Sequence, residues 1–477
     1  MMSSSLFDAS LTLPAACVLL LALGIAFAFE FVNGFHDTAN AVATVIYTQS
    51  LAPRKAVVWS GFCNFLGVYL GGTAVAFSIV NLLPVDLLVE GKPGASLAMV
   101  LALLLAAITC NLGTWFLGIP ASSSHTLIGS ILGVGIANAL SSGRPIGSSV
   151  NWDKAGEVGL SLLISPMIGF VSAGLLLLTM RRIFRNPELY EAPAVDTPPP
   201  FWIRSTLVAT CTGVSFAHGS NDGQKGIGLV MLILIGLLPA QFSLNPDHHQ
   251  DTAQRLVAAG HAVLPLLERY SPEMERSDRV DDIARVHLHL RGQTSLAGIP
   301  RESRWKIRAR LIEIDRSLES MLSHSGESLS DVERDQIKKS REEFRHAIYY
   351  APTWVLMAVA TALGVGTMIG WKRIVTTVGE KIGKTHLTYA QGAAAEVVAA
   401  CTISLADFGG LPVSTTHVLS SGVAGTMAAN RSGLQFATVR SIAVAWLLTM
   451  PVSLALAAIL FAALRPLLSG FGGEIHP

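Results

Sequence analysis

The chain has 477 residues, of which 51% are hydrophobic and only 14% are charged, and its formal net charge at pH 7 is +1. A soluble globular domain usually carries about 25% charged residues, so the composition excludes that class and indicates a protein of the lipid bilayer. No basic tract with interleaved aromatic residues is present, and the five cysteines stand singly, so neither nucleic acid nor a CxxC metal site is expected.

Twelve apolar segments are predicted along the chain, six in each half. Several approach the roughly 20 residues that a helix needs to span about 30 Å of hydrocarbon. The fold class is therefore expected to be an all-α polytopic membrane protein. The segments cover residues 13–32, 38–50, 56–82, 96–117, 121–140, 158–181, 202–217, 223–239, 352–371, 388–407, 412–429 and 437–465.

The domain organisation follows from the charge distribution. Residues 1–184 are predicted to form a first transmembrane repeat, and residues 185–201, which contain three consecutive prolines, a linker. The second transmembrane repeat is expected to combine residues 202–240 with residues 351–477. Residues 241–350 hold about half of all charged residues and show amphipathic spacing. We expect them to form an inserted polar helical domain outside the membrane.

Basic residues in short loops predict opposite orientations for the two repeats. Lys and Arg concentrate in loops on the cytoplasmic side of a membrane. By this rule residues 81–95 lie outside, whereas their repeat counterpart, residues 372–387, lies inside. Corresponding loops on opposite sides indicate two inverted-topology repeats.

The first repeated motif reads NGFHDTAN at residues 33–40 and HGSNDGQK at residues 218–225. Each copy interrupts an apolar run, which predicts broken or re-entrant helices, and paired interruptions point to a substrate site. A carboxylate at membrane depth pairs, protonates or binds a cation, so Asp37 and Asp222 are predicted to form a cation or proton site. The alternative is that both merely cap the helices that follow.

The neighbours of these aspartates extend the predicted site. Asn33, Asn40, Asn221 and Gln224 offer neutral oxygens to a hard cation. Lys225 stands where Asn40 stands in the first copy. It either supplies positive charge to an anion or pairs with Asp222.

The second repeated motif reads GIPASSSH at residues 118–125 and GLPVSTTH at residues 410–417. A helix N-terminus offers free N–H donors and about half a positive charge, and clustered hydroxyls add further donors. Two such termini are predicted to hold a tetrahedral oxyanion, the alternative being routine capping. The hydroxyl residues are Ser122, Ser123, Ser124, Ser414, Thr415 and Thr416.

Other titratable residues accompany the motifs. His125 and His417 follow the hydroxyl clusters, and their titration range suits proton handling or a hydrogen bond to phosphate, although a structural role is the alternative. Glu396 and Asp407 are further acids within apolar segments and are functional candidates by default. A salt bridge to a nearby lysine would explain them equally well.

Together the two motif pairs resemble the inorganic phosphate transporter (PiT) family, over nearly the whole chain. The resemblance implies ion-coupled phosphate uptake across the bacterial cytoplasmic membrane, an inverted-repeat helical fold and a homodimer. For the bacterial low-affinity branch it implies proton coupling and co-transport of a divalent metal as neutral metal–phosphate. It also implies which residues bind the cation and the phosphate: Asp37, Asn40, Ser123, Ser124, Asn221, Asp222, Thr415 and Thr416. Of these, Asp37 and Asp222 are the expected metal ligands.

The expected function is a phosphate symporter that works by alternating access, with no enzymatic activity and no cofactor. Sodium coupling, or transport of sulfate or another oxyanion on the same fold, are the alternatives. An intramembrane hydrolase is disfavoured because HExxH and GxSxG are absent and the motifs repeat symmetrically. The predicted phosphate-binding residues are Asn40, Ser122, Ser123, Ser124, Asn221, Lys225, Ser414, Thr415 and Thr416. The predicted coupling residues are Asn33, Asp37, His125, Asp222, Gln224, Glu396 and His417.

Overall fold

The structure is a computed structural model that describes residues 13–83, 93–193, 197–246, 251–324 and 329–468. These residues form α-helices and short 3₁₀ turns, with no β-strand among them, which confirms the all-α fold. The helices up to residue 237 are α1 Leu13–Asp37, α2 Ala39–Tyr47, α3 Pro53–Leu70, α4 Ala74–Val80, α5 Pro93–Phe116, α6 Ser123–Ser142, α7 Trp152–Ile183 and α8 Phe201–Leu237. Those that follow are α9 Pro239–Phe242, α10 Thr252–Tyr270, α11 Glu273–Leu290, α12 Arg301–His324, α13 Asp331–Ile348, α14 Thr353–Thr367, α15 Lys372–Glu380, α16 Tyr389–Phe408, α17 Thr415–Ala429 and α18 Phe436–Leu468.

The described residues divide into two compact units. The apolar unit comprises residues 13–83, 93–193, 197–230 and 352–468. The charged unit comprises residues 231–246, 251–324 and 329–351. The described residues of the block predicted as an insertion, 241–350, fall within the charged unit.

Six helices in the described residues are long and apolar enough to cross a membrane, and the number rises to eight if two bent helix pairs each count as one span. One bent pair is α3 with α4, whose axes meet at 76°. A single segment was expected there, over residues 56–82, but the chain bends between Leu70 and Ala74. The twelve apolar segments expected from the sequence stay a prediction.

The interruption expected in the second aspartate motif is absent. Helix α8 is continuous for 37 residues and passes straight through residues 218–222. The glycines that suggested a break allow close helix packing instead. A methyl group at Gly219 would overlap the backbone of Asn64, and one at Gly223 would overlap the side chain of Val68, both on α3. Small residues at such contacts let helix backbones approach each other.

In the first copy the interruption is small. Helix α1 ends at Asp37 and α2 begins at Ala39, so only Thr38 lies between them. Thr38 is the N-cap of α2 and makes no side-chain capping bond. Because Asp37 ends a helix and Asp222 lies inside one, the hypothesis that the two aspartates cap the following helices is wrong.

Helices from the two sequence halves pack against each other throughout the apolar unit. Helix α14 packs on α1 and α3, α17 packs on α7, and α18 packs on α5 and α6. Close contacts fall at glycines: a methyl group at Gly366 would overlap the backbone of Phe31. This packing brings the motifs of one half to those of the other.

The charged unit contains four longer helices, in which α10 contacts α11 and α13, and α12 contacts α11 and α13. Their apolar faces form a core that includes Leu256, Val263, Ile337 and Phe344. Helix α13 begins with a capping box, in which Ser330 and Glu333 exchange side-chain and backbone hydrogen bonds. The amphipathic spacing read from the sequence therefore corresponds to a packed helical unit.

Candidate functional site

The two hydroxyl motifs have the same local geometry. Each contains a glycine with positive φ, 67° at Gly118 and 64° at Gly410, followed by a proline and a new helix. Ser122 caps α6 by accepting a hydrogen bond from the His125 backbone N–H, and Ser414 caps α17 through that of His417, both at 3.2 Å. The repeated sequence therefore produces two equivalent helix N-termini. Capping occupies the first hydroxyl of each cluster and leaves the next two for other contacts.

Asp37 lies where the two hydroxyl clusters meet. Its Oδ1 accepts a hydrogen bond from Thr416 at 2.8 Å and lies 3.0 Å from Nδ1 of His36. Its Oδ2 accepts one from Ser123 at 3.1 Å. Ser123 belongs to the first cluster and Thr416 to the second, so one carboxylate joins both helix starts.

Asp222 approaches the same serine from α8. Its Oδ2 lies 3.4 Å from Ser123 Oγ. Its Oδ1 accepts a hydrogen bond from the Lys225 ammonium group at 2.6 Å. Lys225 also donates to Ser124 Oγ at 2.5 Å and to the Val413 carbonyl at 3.0 Å. Lys225 therefore pairs with Asp222, and its ammonium group also contacts the first hydroxyl cluster; that it supplies positive charge to an anion stays a prediction.

His218 completes, with Asp37 and Asp222, a group of three buried side chains that could hold a metal ion, here called the aspartate cluster. Its Nε2 lies 3.5 Å from Asp222 Oδ2 and 3.7 Å from Asp37 Oδ2, and the ligand atoms of the three residues lie within 4.8 Å of one another. Bonds of about 2.1 Å to a tetrahedral metal would separate neighbouring ligand atoms by about 3.4 Å. The spacing therefore fits a cation held between the two carboxylates and the imidazole.

Sequence reasoning did not select His218 as a site residue. A signal was available, since His218 precedes Asp222 by one helical turn and so shares its face. Asn64 holds the imidazole in place, with its Oδ1 3.1 Å from Nδ1 of His218. Thr367 in turn accepts a hydrogen bond from Asn64 at 2.8 Å. Partners of this kind orient a ligating histidine.

His125 and His417 form a pair directly behind the helix starts. Their ring centroids lie 4.6 Å apart, and His417 stacks on Trp446 at 4.0 Å. Nδ1 of His125 and Nε2 of His417 are buried without a hydrogen-bond partner. Trp446 donates to the Pro120 carbonyl at 3.0 Å and so ties the pair to the first hydroxyl loop. Their proposed proton-handling role stays a prediction.

Asn221 and Gln224 contact parts of the chain beside the cluster. Asn221 donates to the Leu411 carbonyl at 3.2 Å and accepts from the Val413 N–H at 3.4 Å, which supports the second hydroxyl loop. Gln224 accepts from the Val75 N–H at 2.9 Å and donates to Asp407 at 2.5 Å. In this conformation both amides position backbone and helix ends.

The remaining predicted residues differ in their surroundings. Glu396 is fully buried and accepts hydrogen bonds from Thr44 and Thr210, neither of which belongs to the aspartate cluster. Asn33 is buried, and its amide has no hydrogen-bond partner. Thr415 is buried at the first position of α17. The side chain of Asn40 lies outside the described part of the structure.

The cluster is suited to an ion pair between a cation and an oxyanion. It is closed to solvent, since its two aspartates are 2% and 0% exposed. Two carboxylates next to the hydroxyl clusters would repel a phosphate dianion bound there, whereas a cation between the carboxylates would attract it. Hydroxyls, helix N-termini and the Lys225 ammonium group supply the donors that an oxyanion needs.

Comparison with known proteins shows similarity over nearly the whole chain. A family model described as "Phosphate transporter family" matches residues 33–457. The chain is 44% identical over 474 residues to the low-affinity inorganic phosphate transporter PitB of Escherichia coli (strain K12), covering 92% of this chain and 94% of that protein. It is 43% identical over 484 residues to PitA of the same strain, covering 94% and 97%. A solved structure titled "The sodium-dependent phosphate transporter" aligns with a TM-score of 0.54 and 20% identity, covering 94% of this chain and 99% of that chain, which shows a common fold.

Proposed function

Since this chain belongs to the phosphate transporter family, we propose that it imports inorganic phosphate together with protons across the bacterial cytoplasmic membrane. Phosphate travels as a neutral complex with a divalent metal ion. The protein is a membrane transporter and not an enzyme. The same proposal includes two inverted repeats and a homodimer.

One observation carries the proposal: two aspartates from separate motif copies approach the same hydroxyl. Asp37 and Asp222 lie 3.1 and 3.4 Å from Ser123 Oγ, at the start of α6. Buried carboxylates without a cation between them are costly, so this arrangement supports a site that binds and releases positive charge during each cycle.

Phosphate binds, in this proposal, at the paired helix starts. Ser123, Ser124, Thr415 and Thr416 offer hydroxyl donors there, and the N-termini of α6 and α17 add free backbone N–H groups. In the conformation described, several of these donors point to carboxylates and to Val413. Substrate oxygens would take over these hydrogen bonds, so binding need not expose unpaired polar groups.

The accompanying metal binds between Asp37, His218 and Asp222. Two carboxylate oxygens and one imidazole nitrogen suit a first-row divalent ion better than calcium, which takes oxygen ligands only. A divalent metal with hydrogen phosphate is neutral overall, so the cluster keeps its charge when the complex enters and leaves. Rocking of the two halves around this point would expose it to each side in turn.

The decisive test is uptake of radiolabelled phosphate into proteoliposomes, with pH and sodium gradients imposed separately. We expect accumulation driven by an inward proton gradient, stimulation by divalent metal, and equal entry of metal and phosphate. Accumulation driven only by sodium would refute proton coupling. Competition by excess sulfate would refute phosphate selectivity, because hydrogen phosphate donates a hydrogen bond and sulfate does not.

A further inference from the structure

A buried acid outside the described site lies on the first helix. Glu30 is 0% exposed, and both of its carboxyl oxygens lack a hydrogen-bond partner. Asn33, one turn further along α1, is also buried, and its amide nitrogen and oxygen lack partners too. Both side chains lie on the helix face that leads to Asp37. The Asn33 amide acts on Glu30 only as a weak donor, and none of these four atoms makes a hydrogen bond of normal geometry. Buried polar groups are normally hydrogen-bonded, so this face requires an explanation.

The carboxyl group of Glu30 packs against helix α8 at Gly226. A methyl group at Gly226 would overlap the Glu30 carboxyl group, so only glycine leaves room for it. Gly226 directly follows Lys225. The charged groups close enough to act on Glu30 electrostatically are Asp222, Lys225 and Asp37. Glu30 therefore lies next to the aspartate cluster without being part of it.

No cation neutralises Glu30 in the described residues. The ammonium group of Lys225, the cation that acts on Glu30 electrostatically, donates instead to Asp222, Ser124 and the Val413 carbonyl. An ionised carboxylate with no counter-ion and no hydrogen bond of normal geometry is strongly disfavoured at membrane depth. Two neighbouring aspartates disfavour a further negative charge there as well. The protonated, neutral form is the one that this environment accommodates.

We propose that Glu30 carries the co-transported proton. This inference rests on the proton-coupled transport proposed above and assigns the transported proton to the Glu30 carboxyl group. Glu30 binds a proton from the outer side, keeps it in the closed conformation described here, and releases it to the cytoplasm when the site opens inward. The carboxyl group ends each cycle as it began, and one proton has crossed the membrane.

Lys225 links this proton to the substrate. With Glu30 neutral, the Lys225 ammonium group stays on Ser124, where it supplies positive charge to the phosphate. With Glu30 ionised, the new carboxylate attracts the ammonium group away from Ser124. Phosphate is then held less firmly. Proton binding and phosphate binding thus favour each other, as symport requires.

The test compares Glu30→Gln with Glu157→Gln, an exposed carboxyl group paired with Lys154, in proteoliposomes. Glutamine keeps the neutral shape but cannot exchange a proton. We expect Glu30→Gln to retain phosphate counterflow at equal pH and to lose proton-driven accumulation by about tenfold or more, a coupling typical in size. Glu30→Asp should retain part of the proton response, and Glu157→Gln should match the parent protein in both assays.

The outcomes separate the two proposals. If phosphate accumulation by the parent protein does not respond to a pH gradient, proton coupling is refuted and the role of Glu30 is refuted with it. If the parent responds and Glu30→Gln responds equally, only the role of Glu30 is overturned. If Glu30→Gln inserts at normal levels but loses counterflow as well, the residue is structural. Gly226→Ala, which displaces the carboxyl group without removing it, should weaken the proton response, and an unchanged response would contradict the assignment.

Discussion

The Lys225 ammonium group donates a hydrogen bond to Ser124 at 2.5 Å and so joins the second aspartate motif to the first hydroxyl motif. The same group pairs with Asp222 at 2.6 Å, whereas the contacts of Asp37 within the described residues are with hydroxyls and histidines. The two aspartates, equivalent in the repeated sequence, are therefore electrostatically different. This difference determines how their variants should behave.

Replacing either aspartate with asparagine should abolish phosphate uptake, because each replacement removes a negative charge from the proposed cation site. Asp222→Asn should also reduce stability by about 3–5 kcal/mol, since it leaves the buried Lys225 charge without its partner. Asp37→Asn should fold nearly as well as the parent protein. Uptake in proteoliposomes and thermal unfolding in detergent measure the two effects. The control is Asp153→Asn, an exposed position on α7, and normal uptake by Asp37→Asn would refute the assigned role.

His218→Ala should weaken the dependence of phosphate uptake on divalent metal. The imidazole is the third ligand of the proposed cation site, and its loss leaves two carboxylates alone. Asn64→Ala, which removes the partner that orients His218, should raise the metal concentration for half-maximal uptake by about 10–100-fold. The measurement is initial uptake rate against metal concentration. Unchanged metal dependence in both variants would place the metal elsewhere.

Ser124→Ala should raise the phosphate concentration for half-maximal uptake by about tenfold, because a hydrogen bond to a charged group contributes roughly 1.5–3 kcal/mol. Thr415→Ala should act in the same direction. Ser130→Ala is the matched control on α6, since Ser130 donates only to the Thr126 carbonyl of its own helix. If half-saturation is the same in all three variants, the hydroxyls serve the helix starts alone.

The positive φ angles at Gly118 and Gly410 should make both positions intolerant of alanine. An alanine in this conformation costs about 1–2 kcal/mol, and relief of the strain would shift the hydroxyl loop that follows. We expect reduced thermal stability and reduced uptake for Gly118→Ala and for Gly410→Ala. Gly113→Ala on α5, where a methyl group meets open space, should be neutral. Equal tolerance at all three positions would contradict the strained geometry.

Acidification should destabilise the charged unit near His287. Burial and the neighbouring His261, whose ring centroid lies 4.4 Å away, lower the pKa of His287 from its usual value. A lowered folded pKa means that the folded state binds fewer protons, so stability is present above about pH 6.5 and is lost as pH falls below it. Hydrogen exchange of α10 and α11 in the full protein, corrected for intrinsic rates, should rise between pH 7 and pH 5. His287→Gln should reduce this pH response, and an equal response would contradict it.

The sequence indicated much of the site because the motif pairs are short and repeated. Asp37, Asp222, Ser123, Ser124 and Thr416 were selected from spacing and residue type, and the structure brings them together. His218 and Glu30 were missed. Each lies in or beside a motif, but its importance depends on which side chains face it from other helices, and no local pattern reports that.

The break predicted in α8 shows a second kind of error. Gly219 and Gly223 are ordinary signs of an interruption, because glycine weakens an isolated helix. In the folded protein α3 lies directly against both glycines, and tertiary packing stabilises the continuous helix. The same residue type therefore ends a helix at one site and lets two helices touch at another, according to what surrounds it.

The sequence by itself determined that the chain belongs in a membrane, that two short motifs each occur twice along it, and that hydroxyls and acids are concentrated in those motifs. These properties depend on amino-acid composition and on the order of residues along the chain, and neither depends on contacts between distant helices. The tertiary structure decided which acid pairs with Lys225, which histidine joins the two aspartates, and which carboxyl group is left unpaired. Those outcomes arise because helices distant in the chain meet in the interior, where each buried charge must find a partner or be neutralised, an acid by gaining a proton and a base by losing one.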